Sequence, residues 1–357
     1  MSFRRFVNLI TNDCAQNTYA LRRIDMSRFF KNENVSSLLG LDPPPVKDCC
    51  LPDVMMNFYP PQREDSGIME FMRVKNKVVA TDQKCGACMY EPEMHAVRTL
   101  PRFVKPKNWP ISIAMGNNLF VLDRAPNGNS TRNFEALVYD APSPHRQGDW
   151  DWHALPSMPP PPCARNGNED PTWADSCAAV EGGSHIWISA TGGDAANAWT
   201  YSFDTQRLVW SKPADWTLPF CGIAEYIPEL HKLWFGIASR DHGRVFCASD
   251  LAAASFSQED RRPPVLHTVF DDMAGFSKEW RLVTAHAVHL GSGKFCIARF
   301  FDRSRPRSED TPVHYEVKEN CVVFAGVEVV SLEGKLHMVK HNSERYMLVD
   351  QELQWVL

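Results

Sequence analysis

Few residues of this chain stand at spacings that chemistry requires. Cys85-Gly86-Ala87-Cys88 has the gap of a metal knuckle, and His95 lies seven residues beyond Cys88. No second cysteine pair follows at finger spacing, so these are expected to be ordinary thiols, and no metal is expected. A redox dithiol would need a helix N-terminus to lower a thiol pKa, and the flanking residues do not suggest one. Asp82, Asp123, Asp140, Asp204 and Asp250 each close a strand-like run. Paired carboxylates can act as general acid and base, but one acid recurring at equivalent strand ends is expected to cap turns instead. His286 and His289 share the run Thr284 to Leu290 at a spacing that sets them on opposite faces, with His286 the candidate for a central channel. Arg299, Arg303, Arg305 and Arg307 cluster around Pro306 in what reads as the loop after a second strand, either a solvated loop or a dock for an acidic partner. Pro159 to Pro162 is a short polyproline run, a spacer or a groove ligand. No nucleophile, metal cage or phosphate loop stands out, so no catalytic residue and no cofactor is expected.

The elements that would position any site recur. Ala178 to Phe220 is the most complete copy: Ala178-Ala179-Val180, a turn through Gly182-Gly183, His185 to Ala190, Ala198 to Phe203 ending at Asp204, and Leu208-Val209-Trp210. These runs are rich in β-branched and aromatic residues and are bounded by turn formers, so they read as four antiparallel strands. Units of the same order begin at Ile68, Ile111, Gly222 and Arg281, spaced by roughly 45 to 60 residues, the range of kelch-like blades. Phe3 to Ile10 and Thr18 to Ile24 form an N-terminal hairpin. Residues 27–66, with Pro43-Pro44-Pro45 and Pro60-Pro61, read as a long irregular excursion with a short helix near Val35 to Leu39. Lys335 to Lys340 and Arg345 to Val349 are two strands without partners, and the N-terminal pair also lacks partners. Together they are expected to complete one shared blade. The expectation is an all-β, six-bladed, kelch-like β-propeller closed by its two termini, one domain over residues 1–357.

Composition agrees. The chain has 357 residues with 44% hydrophobic content, 11 Trp, 20 Phe and 26 Pro, which favours many short strands around a substantial core. A net charge of −5 supplies no basic field, so neither nucleic acid nor membrane is expected as a partner. The first residues lack a secretory core, no window approaches the ~20 apolar residues of a membrane helix, and the 11 cysteines are an odd number scattered through strand-like runs. Reduced thiols and a cytoplasmic or nuclear location are expected.

Four stretches carry a family resemblance: Arg4 to Leu9 with Tyr19 to Asp25, Tyr201 to Thr205 with Asp215 to Phe220, Gly326 to Val329, and Met338 to His341 with Arg345-Tyr346. They resemble a grass-expanded plant family of unknown function, itself distantly like kelch or galactose-oxidase propellers. The resemblance spans nearly the whole chain and implies the fold but no activity.

Two functions are expected to compete. One is a non-catalytic interaction propeller that presents a face to a protein partner. The other is an enzyme or small-molecule receptor with a pocket at the channel mouth. In either case the loops joining second to third strands, and one blade to the next, are long and chemically distinctive, whereas first-to-second turns are short. Arg124, Trp173, Arg240, His242, Arg303 and Arg305 are the candidate contacts on that face, with His286 in the channel.

Overall fold

The computed structural model describes residues 3–357 apart from 14, 32–40, 62–66, 108, 125–131, 141–147, 161–172, 191–197, 212, 240–243, 255, 257–261, 271–278, 306–316 and 349–350. The architecture is all-β with antiparallel sheets. Helical structure among the described residues is two single 3₁₀ turns, Met26–Arg28 and Glu181–Gly183.

Near the N-terminus lie β1 (Phe6–Asp13), β2 (Thr18–Asp25), β3 (Lys47–Cys49) and β4 (Val54–Phe58). Two four-stranded meanders follow: β5 (Met69–Val74), β6 (Lys77–Asp82), β7 (Ala87–Glu91) and β8 (Ala96–Leu100), then β9 (Ile111–Met115), β10 (Asn118–Leu122), β11 (Phe134–Asp140) and β12 (Asp149–Ala154). The next two meanders share one sheet: β13 (Ser176–Val180), β14 (His185–Ala190), β15 (Trp199–Asp204) and β16 (Val209–Trp210), with β17 (Phe220–Ile227), β18 (Leu233–Ala238), β19 (Phe246–Asp250) and β20 (Val265–Phe270). They join through a short parallel pairing of their first strands, Ser176 opposite Gly222. Longer strands, β21 (Arg281–Gly291), β22 (Lys294–Arg305), β23 (Val317–Leu332) and β24 (Lys335–Leu348), make the last meander, and β25 (Gln351–Val356) ends the chain.

Second strands read as unbroken apolar runs because both of their faces are covered. In β18, Leu233, Phe235 and Ile237 enter one buried cluster while Trp234 and Ala238 enter another. In β6, Val79 packs against Leu119 and Val121 of the following unit, and Val78 and Ala80 pack against Ile10, Tyr19 and Leu21 of the terminal sheet. Among the described residues six clusters are each shared by two units. Phe120 and Phe134 meet Ile186, Trp199 and Phe203. Trp187 meets Phe220 and Trp234, Phe235 and Phe246 meet Phe295 and Val327, and Phe300 and Phe324 meet Val7, Leu9 and Ile24. Fully burying a side chain of this size stabilises by about 1.5–3 kcal/mol.

Three sequence expectations are corrected here. Lys335 to Lys340 and Arg345 to Leu348 are not two strands of the terminal sheet: they form the single strand β24, paired along β23 with one irregularity between Ala325 and Val327, and Val349 lies outside the described residues. The 16-residue β23 is long enough to pair with both halves. The strand that reaches the N-terminal hairpin is β25, whose order in the sheet is β25-β1-β2-β4. Next, the excursion at residues 27–66 is not wholly irregular. Its β4 pairs with β2, and its β3 lies parallel to β24, where Asp48 holds Arg345 at 2.6 and 2.9 Å. The helix expected near Val35 to Leu39 lies outside the described residues. Finally, Arg303 and Arg305 are not in a loop, because β22 continues through Arg305 and pairs Arg303 with Glu319 across the hairpin.

The turn caps are as expected at three positions. Asp82 accepts from the backbone N–H of Lys84 and Gly86, Asp204 from Gln206 and Arg207, and Asp250 from Ala252, at 2.7–2.9 Å.

Removing Gln351–Leu357 takes away β25 and Trp355, whose ring lies 5.7 Å from Tyr19 and 5.1 Å from Phe71. The truncated chain is expected to lose cooperative folding, as circular dichroism melting will show; a full-length melting profile would contradict the role given to β25.

Candidate functional site

In an antiparallel unit of four strands the chain leaves at the end where it entered. The links between units therefore share one end with the second-to-third-strand loops, and first-to-second and third-to-fourth turns lie at the other. At the link end, a network forms around Glu70 of β5.

The link from β8 to β9 is pinned from below. Lys107 is buried and donates to the carboxylate of Glu135 on β11 and, at 3.0 Å, to the Lys105 carbonyl. The other Glu135 oxygen accepts the Val104 N–H at 3.0 Å. So held, the link turns through Trp109 in a left-handed conformation, φ 52°, and directs its N–H to Glu70 at 3.1 Å. The indole of Trp355 donates to the same carboxyl. Burial raises the Glu70 carboxyl to about 7; the bonds from Trp109 and Trp355 and the nearby Arg124 cation oppose that rise, and Asp123 adds to it. Arg124 follows β10. Its carbonyl accepts the Ala174 N–H at 3.2 Å, which brings the Trp173 segment alongside, while its buried Nε has no hydrogen-bond partner among the described residues.

Large apolar side chains are exposed on this end, as others are at the turn end. Tyr59 and Ile68 sit on the link to β5, Val104 and Trp109 on the link to β9, and Trp173 on the link to β13; Trp109 is 47% exposed and Trp173 43%. Aromatics are enriched at protein interfaces, where they contribute much area for little entropy.

Of the residues singled out in the sequence, the structure thus brings Arg124 and Trp173 together. Arg303 is committed elsewhere: it pairs with Glu319 at 2.6 Å and Glu279 at 3.4 Å, and stacks on Trp280 at 4.6 Å. His286 packs edge-on to Phe300 at 5.8 Å, and burial pushes its imidazole down to about 4, so it is neutral at physiological pH. His289 does point to the opposite face, against Phe295 at 4.9 Å. Arg240 and His242 lie outside the described residues, as does the Arg305 side chain. Cys85 precedes β7 and His95 follows it, so the two sit at opposite ends of a strand and cannot share an ion. His95 lies beside the Tyr90 hydroxyl at 3.3 Å. Burial raises the thiols of Cys85, Cys88 and Cys177, the last to about 12, which keeps them protonated.

Glu70 and Trp109 went unnoticed in the sequence. A lone acid inside the apolar run Met69 to Val74 was the available signal for Glu70, whereas nothing local marks Trp109.

A half-ionised carboxyl can bind a donor or exchange a proton. Its partners among the described residues are the Trp355 indole and the Trp109 backbone N–H.

Fold and site together define an all-β protein of repeated four-stranded units whose links carry a polar network ringed by aromatic side chains. Residues 4–346 match a family model described as "Protein of unknown function (DUF1668)", and the chain belongs to that family. No curated protein matches the sequence. Among solved structures, hydrazine synthase of Kuenenia stuttgartiensis aligns with 74% of this chain and 62% of its own, at 13% identity and a TM-score of 0.34. The chain spans less than two thirds of that protein, and a likeness at that level carries no argument.

Two outcomes are expected. Between the ordinary value of 4.5 and about 7, the folded state keeps a proton on Glu70 that the unfolded chain has released. Stability should therefore fall as pH rises through that window, by up to about 3 kcal/mol. Glu70→Gln should flatten the pH dependence of the melting temperature and gain most above neutrality; identical profiles for both proteins would contradict it. Glu135→Ala leaves the Lys107 ammonium buried without its partner, and denaturant titration should record a loss of about 3–5 kcal/mol.

Proposed function

We propose that this chain is one closed, six-bladed β-propeller that binds a protein partner on its link end and performs no catalysis. Three features support the ring. The six shared clusters link the units in a cycle that runs from the terminal sheet through each meander and back to it. The C-terminal β25 pairs with β1. Arg73 on β5 reaches Glu225 on β17 at 3.7 Å, although their units share no cluster, as first strands lining a common axis would. The buried thiols suit a reducing compartment, the cytoplasm or nucleus.

The observation that carries the binding role is the pair of exposed tryptophans: Trp109, whose own N–H donates to Glu70, and Trp173, whose neighbour Ala174 donates its N–H to the Arg124 carbonyl. An apolar ring set on a fixed backbone, rimmed by an arginine and a buried carboxyl, is the anatomy of an interface centre. A substrate pocket would enclose its ligand, whereas these rings stand in solvent.

Affinity purification with quantitative mass spectrometry tests the reading. Trp109→Ala with Trp173→Ala should reduce recovery of a specific partner about tenfold or more, while Lys75→Glu with Glu333→Lys, at turns of the other end, should leave it unchanged. Equal effects of the two pairs would refute it.

A further inference from the structure

The link from β8 to β9 carries more than Trp109. Arg102, Val104, Lys105 and Trp109 are exposed along it, while Phe103 and Lys107 are buried. The Phe103 ring lies 4.0 Å from Trp152, and the Lys107 ammonium sits 5.1 Å over it. Two buried side chains thus anchor the link from below and leave its other residues on the surface.

The same ammonium gathers the next loop. Lys107 donates to the Lys105 carbonyl at 3.0 Å and to the Arg132 carbonyl at 3.4 Å, so the backbones of Lys105 and Arg132 meet at one buried cation. Arg132 is held further by its own N–H, which donates to Ser157 Oγ at 2.7 Å, and its side chain is exposed. On the other side, the Phe103 N–H donates to the Cys85 carbonyl at 3.1 Å. That bond joins the link to the loop between β6 and β7, where Lys84 is exposed. Three loops of the link end are therefore pinned to one another, and each brings a cation to the surface that holds Val104 and Trp109.

Charge on this surface is one-sided. Arg102, Lys105, Arg132 and Lys84 form no ion pair among the described residues. The carboxylates nearby are already engaged: Glu135 pairs with Lys107, Asp82 caps its turn through the N–H groups of Lys84 and Gly86, Glu70 accepts from Trp109, and Asp123 is half-buried near Glu70. In a chain of net charge −5, the exposed charges described on these three loops are all positive.

Exposed cations around a fixed indole and a valine call for a partner that is negative and apolar together. A nucleic acid could stack a base on Trp109, but it offers little to the aliphatic Val104. Asp or Glu interspersed with large apolar residues satisfies both. We propose that the partner of the link end presents an acidic linear segment, which lays apolar side chains on Val104 and Trp109 and sets its carboxylates against Arg102, Lys105, Arg132 and Lys84. This rests on the link-end binding role given above and adds the partner's chemistry to it.

Selection of a phage-displayed library of random linear peptides on the immobilised full chain tests it, with binding of the enriched peptides measured by biolayer interferometry. They should combine Asp or Glu with Trp, Phe or Leu, and should associate more slowly as salt rises. Lys105→Glu with Arg132→Glu, whose side chains take no part in the Lys107 bonds, should keep the melting temperature and cut affinity about tenfold or more. Trp109→Ala should cut it as well. If the double reversal fails to fold, the salt dependence of the wild-type chain decides. Peptides lost in Trp109→Ala but lacking acidic residues, or indifferent to the double reversal and to salt, would overturn the acidic partner and leave the link-end role standing. Peptides indifferent to Trp109→Ala would refute the link-end role itself. An empty selection, or tight binding of a single-stranded oligouridylate that Trp109→Ala abolishes, would also overturn the proposal, the latter by making the partner a nucleic acid.

Discussion

Packing between units is the constraint on which everything else depends. A four-stranded sheet of strands about six residues long has two apolar faces and too little area to be stable alone. Here each sheet buries both faces on neighbours, so that Val78 and Val79, adjacent in the chain, belong to different clusters. Stability is thus a property of the contacts between units, and the terminal sheet, built from β1, β2, β4 and β25, is where the proposed ring depends on the two ends of the chain finding each other.

The same packing sets what the polar groups can do. Burial draws several charges out of water. Glu70 is raised, Arg4 is lowered, and Arg73 meets Glu225 between units that are otherwise apart. At the link end, Lys107 and Glu135 compensate each other beneath a link whose backbone then presents Trp109.

Local signals were legible and long-range ones were not. The hairpin of Ala178 to Ala190 and the turn-capping acids Asp82, Asp204 and Asp250 follow from residue type and spacing, and the structure has them, whereas only Cys177, Cys247, Cys296 and Cys321 of the described cysteines are buried as expected and Cys50 is exposed. The strand β25 was missed because Gln351-Glu352-Leu353-Gln354 reads as a polar tail, and it is Trp355 against Tyr19 and Phe71 that secures the strand. Arg303 looked available because Glu319 is distant in sequence and unfavourable to pair with until β22 and β23 are in register. Arg124 and Trp173 follow from type and loop position, but the action of the Arg124 charge on Glu70 and the bond from Ala174 beside Trp173 to the Arg124 carbonyl are long-range placements that no local pattern encodes.

The central claim is that first strands of units sharing no core meet at a common axis. Spin labels at Arg73→Cys and Glu225→Cys, with the exposed Cys50 replaced by Ser, test it most directly. The account predicts dipolar broadening of the continuous-wave spectrum in the doubly labelled protein relative to the sum of the single labels, because the native side chains lie 3.7 Å apart. Spectra equal to that sum would place the two strands apart and contradict the ring.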